Sequence, residues 1–172
     1  NFFIAKHFIF SITFVPLQVK DKSDMAILRM TKEFRFEGAH SLRGYDGKCK
    51  HIHGHSYLLY VTVEGRPSED NGTHGEGMII DFKILKKIVN ESVVDRFDHA
   101  LVLEQGTPLT QELTNSYGNV IITPFRPTSE NMICHFAEKI KEKLPFGTKL
   151  HSLKLYETAG SYIEWFDDSK QL

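Results

Sequence analysis

The chain has 172 residues, 41% hydrophobic and 25% charged, the balance of one globular domain able to fill a core. Its formal net charge of -1 sets up no global field toward nucleic acid or an anionic membrane, so neither is expected as a partner. Two cysteines, Cys49 and Cys134, make no disulfide framework and suit a reducing cytoplasm, where a thiol can be used chemically.

Residues 1–24 stand apart. Their first nineteen are apolar and aromatic with almost no charge, yet the run is too short for a membrane span and lacks a clear small-residue cleavage site. The expectation is an N-terminal extension ahead of a start at Met25 or Met30, with an added edge strand or interface arm as the second reading. Residues 25–172 then form a single domain.

Residues 27–40 read as a strand, with Phe34 and Phe36 on one face and Arg35 and Glu37 on the other. Gly44 and Asp46-Gly47 mark a turn. Residues 56–64 are β-branched and aromatic and make a second strand. The stretch 66–77 is glycine-rich and polar, a solvated loop in which His74 is an ordinary loop histidine. Asp81 N-caps a helix running to about Val94, with Leu85, Ile88 and Val89 as its apolar stripe.

A long irregular region follows, with a short strand expected at 119–123 and breaks at Pro124 and Pro127. Thr128 or Ser129 caps a second helix, and Glu130 in its first turn suits the helix dipole. Ile133, Phe136, Ala137, Ile140 and Leu144 form its core face, with Cys134 beside it as a structural residue. Residues 150–158 and 162–166 make a hairpin about Gly160. The order ββααββ predicts an α+β fold: a four-stranded antiparallel sheet with two helices on one face. Its two edges predict oligomerisation by edge pairing.

The chemistry concentrates in Cys49-Lys-His-Ile-His53-Gly-His55, with His40 upstream. Imidazoles two apart on an extended chain share a face, and Gly54 between them lets the backbone approach closely. His53, His55 and His40 can close on one metal and leave a fourth position open, the pattern of a catalytic zinc. His51 has the same parity, so spacing alone leaves open which histidines bind. Lys48 and Lys50 favour a Cys49 thiolate. A rival reading puts Cys49 on the metal as well, giving a closed structural zinc module. Asp98-His99 is a potential acid–base pair. Glu157, ending a strand, can accept two parallel N–H donors from a guanine-like or pterin-like edge.

These residues fall in an ordered set: Phe36-Glu-Gly-Ala-His40, Cys49-x3-His53-Gly-His55-Ser-Tyr, Gly77-Met-Ile-Ile-Asp81-Phe, Phe97-Asp98-His99, Pro127-Thr-Ser-Glu-Asn131 and Leu155-Tyr-Glu157-Thr. The set resembles the 6-pyruvoyltetrahydropterin synthase family over about residues 30–167. The Cys-x3-His-Gly-His spacing is most similar to its 6-carboxytetrahydropterin synthase branch, of queuosine biosynthesis. The resemblance implies a tunnelling fold assembled edge to edge as a trimer or hexamer, with active sites between subunits. It implies His40, His53 and His55 as Zn2+ ligands, Cys49 as catalytic base, and Asp98 and His99 as its proton relay. Glu157 would anchor the pterin ring, with Thr128, Ser129 and Glu130 lining the pocket, and His51 would not be a ligand.

The implied substrate is 7,8-dihydroneopterin triphosphate. The products would be 6-carboxytetrahydropterin, acetaldehyde and triphosphate, or a pyruvoyl product in the biopterin branch. Arg43, Lys48 and Arg126 are candidates for the triphosphate. A pterin binder without turnover is a further alternative. Two stretches are longer than in short bacterial relatives: the loop 66–76, and the segment 100–126, which could reshape the pocket rim or a subunit contact.

Overall fold

The computed structural model describes residues 26–69, 75–108 and 110–167. The expected N-terminal extension and His74 lie outside the described residues.

Strand β1 (Leu28–His40) and strand β2 (His53–Gly65) form a long antiparallel pair, in register from Leu28 opposite Gly65 to His40 opposite His53. Alternation explains the pairing. Phe34 and Phe36 of β1 and Tyr57, Leu59, Val61 and Val63 of β2 all point into the core, while their neighbours face outward. Each such side chain, fully buried, stabilises the fold by about 1.5–3 kcal/mol. Strand β5 (Thr148–Thr158) pairs antiparallel with β2, and β6 (Ser161–Phe166) antiparallel with β5.

Helix α1 (Phe82–Val89) starts where Asp81 accepts the Lys83 N–H at 2.7 Å. It does not run on as a regular helix to Val94. A π-helical turn (Asn90–Val94) follows, then a short α2 (Asp95–Phe97). The wider turn keeps Val93 and Phe97 in register with the core that Leu85 and Val89 enter. Helix α4 (Ser129–Lys141) is capped by Thr128 and buries Met132, Ile133, Phe136, Ala137 and Ile140 against β5 and β6. Cys134 is exposed on this helix, so it has no structural part in the core.

The sheet is larger than the four strands expected. Strand β3 (Ala100–Glu104) adds in parallel to the last three residues of β1, and β4 (Val120–Thr123) adds in parallel to β3. Among the described residues the sheet therefore has six strands, in the order β4-β3-β1-β2-β5-β6. Helix α3 (Thr110–Tyr117) joins β3 to β4 and buries nothing. The antiparallel core β1-β2-β5-β6 with helices against it matches the expected α+β architecture, and the additions account for the long 100–126 segment. Because β3 covers only Gly38 to His40, the outer side of β1 from Leu28 to Glu37 pairs with no other described strand.

Candidate active site and metal centre

The site forms where β1 ends and β2 begins. His40 and His53 are directly opposite in the register, and His55 follows two residues along the same face. Among the described residues, His40, His53 and His55 form a set that could hold a metal ion, each offering one nitrogen with all three atoms within 4.8 Å of one another. Gly54 sits outside this face, against β1. A Cβ there would lie 3.1 Å from the Gly38 carbonyl oxygen, so its lack of a side chain permits the close strand approach that holds the two imidazoles in place.

Two carbonyls settle the tautomers. A carbonyl only accepts, so His40 Nδ1–H donates to Pro127 O at 2.7 Å and His53 Nδ1–H donates to His51 O at 2.8 Å. In the neutral rings this leaves the Nε2 lone pairs free to ligate. His40 is 2% exposed, and its Nε2 and that of His55 are buried without a hydrogen-bond partner. Burial lowers the pKa of His40, against the opposing Pro127 bond, and also that of His55, against the pull of Glu157. Both shifts favour the neutral form of the ring, the form that binds metal. The donor set, its tautomers and its orphaned nitrogens fit a metal ion. His51 contributes its main chain, as support for His53, and not its ring.

A cavity of about 380 Å³ opens beside His40. Cys49, Thr128, Ser129, Glu130 and Glu157 all line it, so the structure brings these five expected residues together. Cys49 shares the cavity but does not join the three-histidine set, which disfavours the closed four-ligand module. It sits on a 3-10 turn (Lys48–Lys50) whose loop is closed by Leu42 N–H donating to Cys49 O at 2.9 Å. Ser129 Oγ donates to Glu157 Oε1 at 3.0 Å. That oxygen lies 3.5 Å from both His40 Nε2 and His55 Nε2.

Asp98 and His99 do not line that cavity. They follow α2, and His99 lines a second cavity of about 450 Å³ with His55, Glu37, Ser56, Tyr117 and Asn119. The two cavities share no lining residue. Asp98 Oδ1 accepts the Glu37 main-chain N–H at 2.9 Å and lies 3.0 Å from His99 Nδ1. The Glu37 bond, aided by His99, holds the Asp98 carboxyl below its usual range. His99 adopts φ 56, a left-handed conformation uncommon outside glycine. Its N–H donates to Glu37 O at 2.6 Å, and its side chain is 77% exposed. The ring is presented to solvent, and Cys49 of the same chain lines the other cavity.

Arg126 lines the first cavity and donates to Arg43 O at 2.6 Å, while Arg43 donates to Gly106 O. Both arginines thus tie the 41–51 loop and the 100–126 segment together. Lys48 does not line the cavity. Five lining residues had no signal as site residues in the sequence: Leu42 and Tyr45, in what read only as a turn, and Ser161, Tyr162 and Ile163 at the start of β6. Tyr57, whose ring packs 5.5 Å from His55, forms the floor of the histidine cluster. Burial, and then the Glu157 charge, push its phenol pKa upward.

The family profile described as 6-pyruvoyl tetrahydropterin synthase matches residues 29–167. The chain belongs to this family. It is 33% identical over 146 residues to the 6-carboxy-5,6,7,8-tetrahydropterin synthase of Haemophilus influenzae, covering 81% of this chain and 99% of that relative. To the enzyme of the same name from Rickettsia felis it is 32% identical over 142 residues, covering 80% and 99%. The structure of Caenorhabditis elegans 6-pyruvoyl tetrahydropterin synthase superposes with a TM-score of 0.61 at 25% identity, over 83% of this chain and 97% of that one. Family membership accounts for the helix-backed sheet. Among the described residues no helix is long and apolar enough to cross a membrane.

Proposed function

We propose that the chain is a zinc-dependent lyase that converts 7,8-dihydroneopterin triphosphate to 6-carboxy-5,6,7,8-tetrahydropterin, releasing acetaldehyde and triphosphate, in queuosine biosynthesis. The observation that carries this reading is the convergence of His40, His53 and His55 beside a cavity that also holds Cys49 and Glu157. The names of the H. influenzae and R. felis relatives support the same reaction.

The three histidines would hold the zinc through Nε2. A bound zinc supplies Lewis acidity to the hydroxyl oxygens of the substrate side chain and makes a neighbouring proton easier to remove. Glu157 accepts N–H donors from the pterin edge and fixes the ring. Ser129 orients that carboxylate, with Thr128 and Glu130 beside it. Cys49, flanked by Lys48 and Lys50, takes the side-chain proton as a thiolate. Asp98 and His99 accept and return that proton as a relay.

Because His99 faces a different cavity, the relay is proposed to serve Cys49 of a neighbouring subunit. The outer side of β1, which pairs with no other described strand, and β6 at the end of the described sheet supply strand edges for such an assembly, a trimer or hexamer. A cytoplasmic location accompanies this reading.

Incubation of the metal-loaded protein with 7,8-dihydroneopterin triphosphate tests it. Acetaldehyde and a 6-carboxypterin are expected. A pyruvoyl product would move the chain to the biopterin-type branch, and an unchanged pterin would make it a binder.

A further inference from the structure

The loop 41–51 carries Cys49 between β1 and β2. Burial does little to fix it. The 3-10 turn that holds Cys49 has no buried residue, and of the whole loop only Ser41, its first residue, is buried. Its backbone closes on itself: Leu42 N–H donates to Cys49 O at 2.9 Å, and Tyr45 N–H to Leu42 O at 3.0 Å. Such bonds give the loop a shape but leave its place on the fold to other contacts.

Two arginines supply those contacts. Arg43 reaches out of the loop to Gly106 O. Arg126 reaches into it, and its Nη2–H donates to Arg43 O at 2.6 Å. Arg126 stands on a fixed base, because its own carbonyl oxygen accepts the Thr128 N–H at 2.8 Å and the Asn131 side-chain amide at 2.9 Å. The next residue, Pro127, accepts the His40 Nδ1–H. The turn that opens α4 thus holds a histidine of the metal set through one residue and the Cys49 loop through its neighbour.

We propose that Arg126 is a positioning residue for Cys49: it sets where the thiol stands relative to His40. This rests on the proposed function, which makes Cys49 the base. A general base works only within hydrogen-bond reach of its proton, and a misplacement of about 1 Å can cost about 10²-fold in rate. With His40 and the Cys49 loop both tied to positions 126 and 127, their separation does not depend on the loop's weak packing. A planar guanidinium suits the task, since its donors are pre-organised. The role differs from that of a triphosphate ligand, which would act on substrate binding.

The test uses the full metal-loaded chain. Arg126→Met keeps the side-chain stem and removes the donors, and Arg126→Lys restores one cationic donor. In the Met variant kcat is expected to fall about 10–100-fold, with KM within about twofold and zinc content unchanged. The Lys variant should recover most of the loss. Hydrogen exchange, measured without substrate, reads the loop directly. The Leu42 amide, bonded to Cys49 O, should exchange at least about tenfold faster in Arg126→Met, while the amide of Leu59, fully buried in β2, keeps its wild-type rate.

An unchanged Leu42 rate overturns the inference whatever the kinetics, and a raised KM beside it would make Arg126 a substrate contact. Faster exchange at Leu42 and Leu59 alike also overturns it, because the arginine would then serve general stability. A wild type without turnover overturns the proposed function, and the Leu42 rate still decides whether Arg126 holds the loop. Should Arg126→Met fail to fold, Arg126→Gln takes its place with the same expectations.

Discussion

His40 Nδ1 donates to Pro127 O at 2.7 Å, joining the end of β1 to the turn that opens α4. The bond spans 87 positions of the chain and does two things. It locks the end of the sheet to the helix layer, and it leaves Nε2 as the nitrogen free for the candidate metal position. His40→Ala therefore has two separable consequences. Without metal, the buried Pro127 carbonyl loses its partner, at a cost of about 1–3 kcal/mol, read by urea unfolding in the presence of a chelator. With metal, the set falls to two imidazoles and tight zinc binding is lost. A variant that unfolds as the wild type does and still holds zinc tightly would show that neither role is real.

Cys49 separates the catalytic reading from the structural one. Its side chain shares the cavity without joining the histidine set. In Cys49→Ala, zinc content and thermal stability are expected to stay near wild type. Turnover should fall by about 10²–10⁴, the usual worth of a positioned general base. Loss of zinc along with activity would instead return the thiol to the metal.

The separate cavities of Cys49 and His99 lead to a complementation experiment. If each active site takes Cys49 from one subunit and His99 from the next, Cys49→Ala and His99→Ala are each nearly inactive alone. Unfolded, mixed in equal amounts and refolded together, they should recover about a quarter of wild-type activity, because random assembly leaves that share of interfaces with both native residues. No recovery, in a mixture shown to co-assemble, would mean the relay acts within one chain or not at all.

Sequence pattern carried the β1–β2 pair, the α4 core face and the histidine set, because each rests on a period that a strand or helix imposes on neighbouring residues. It did not carry β3. Ala100 to Glu104 is a short run lying between two parallel neighbours and lacks the alternation of a half-exposed strand. Helix α3 buries no residue and so leaves no apolar stripe to read. The six motifs placed Cys49 and His99 in one reaction, but nothing in their order says that they face different cavities. Only the folded chain shows it, in the two separate sets of lining residues. Nor does the spacing of Glu157 reveal that its carboxylate faces the histidines across 3.5 Å, since strands far apart in sequence meet there.

His135 on α4 gives a pH dependence independent of the metal site. Its ring packs 5.6 Å from Phe125 and 6.2 Å from Phe97. Burial first, and then the Lys139 charge, lower its pKa from the model-peptide value of 6.5. Between the folded value and 6.5 the unfolded chain binds more protons than the folded one, so stability rises with pH through that window. The contribution is complete above pH 6.5 and is lost as pH falls toward the folded value. His135→Gln removes the titration. Melting temperatures of the two proteins, followed from pH 8 to pH 5, should run parallel above 6.5. Below it the wild type should lose more with each step than the variant. Curves that stay parallel to pH 5 would show that the buried ring is not what destabilises the protein in acid.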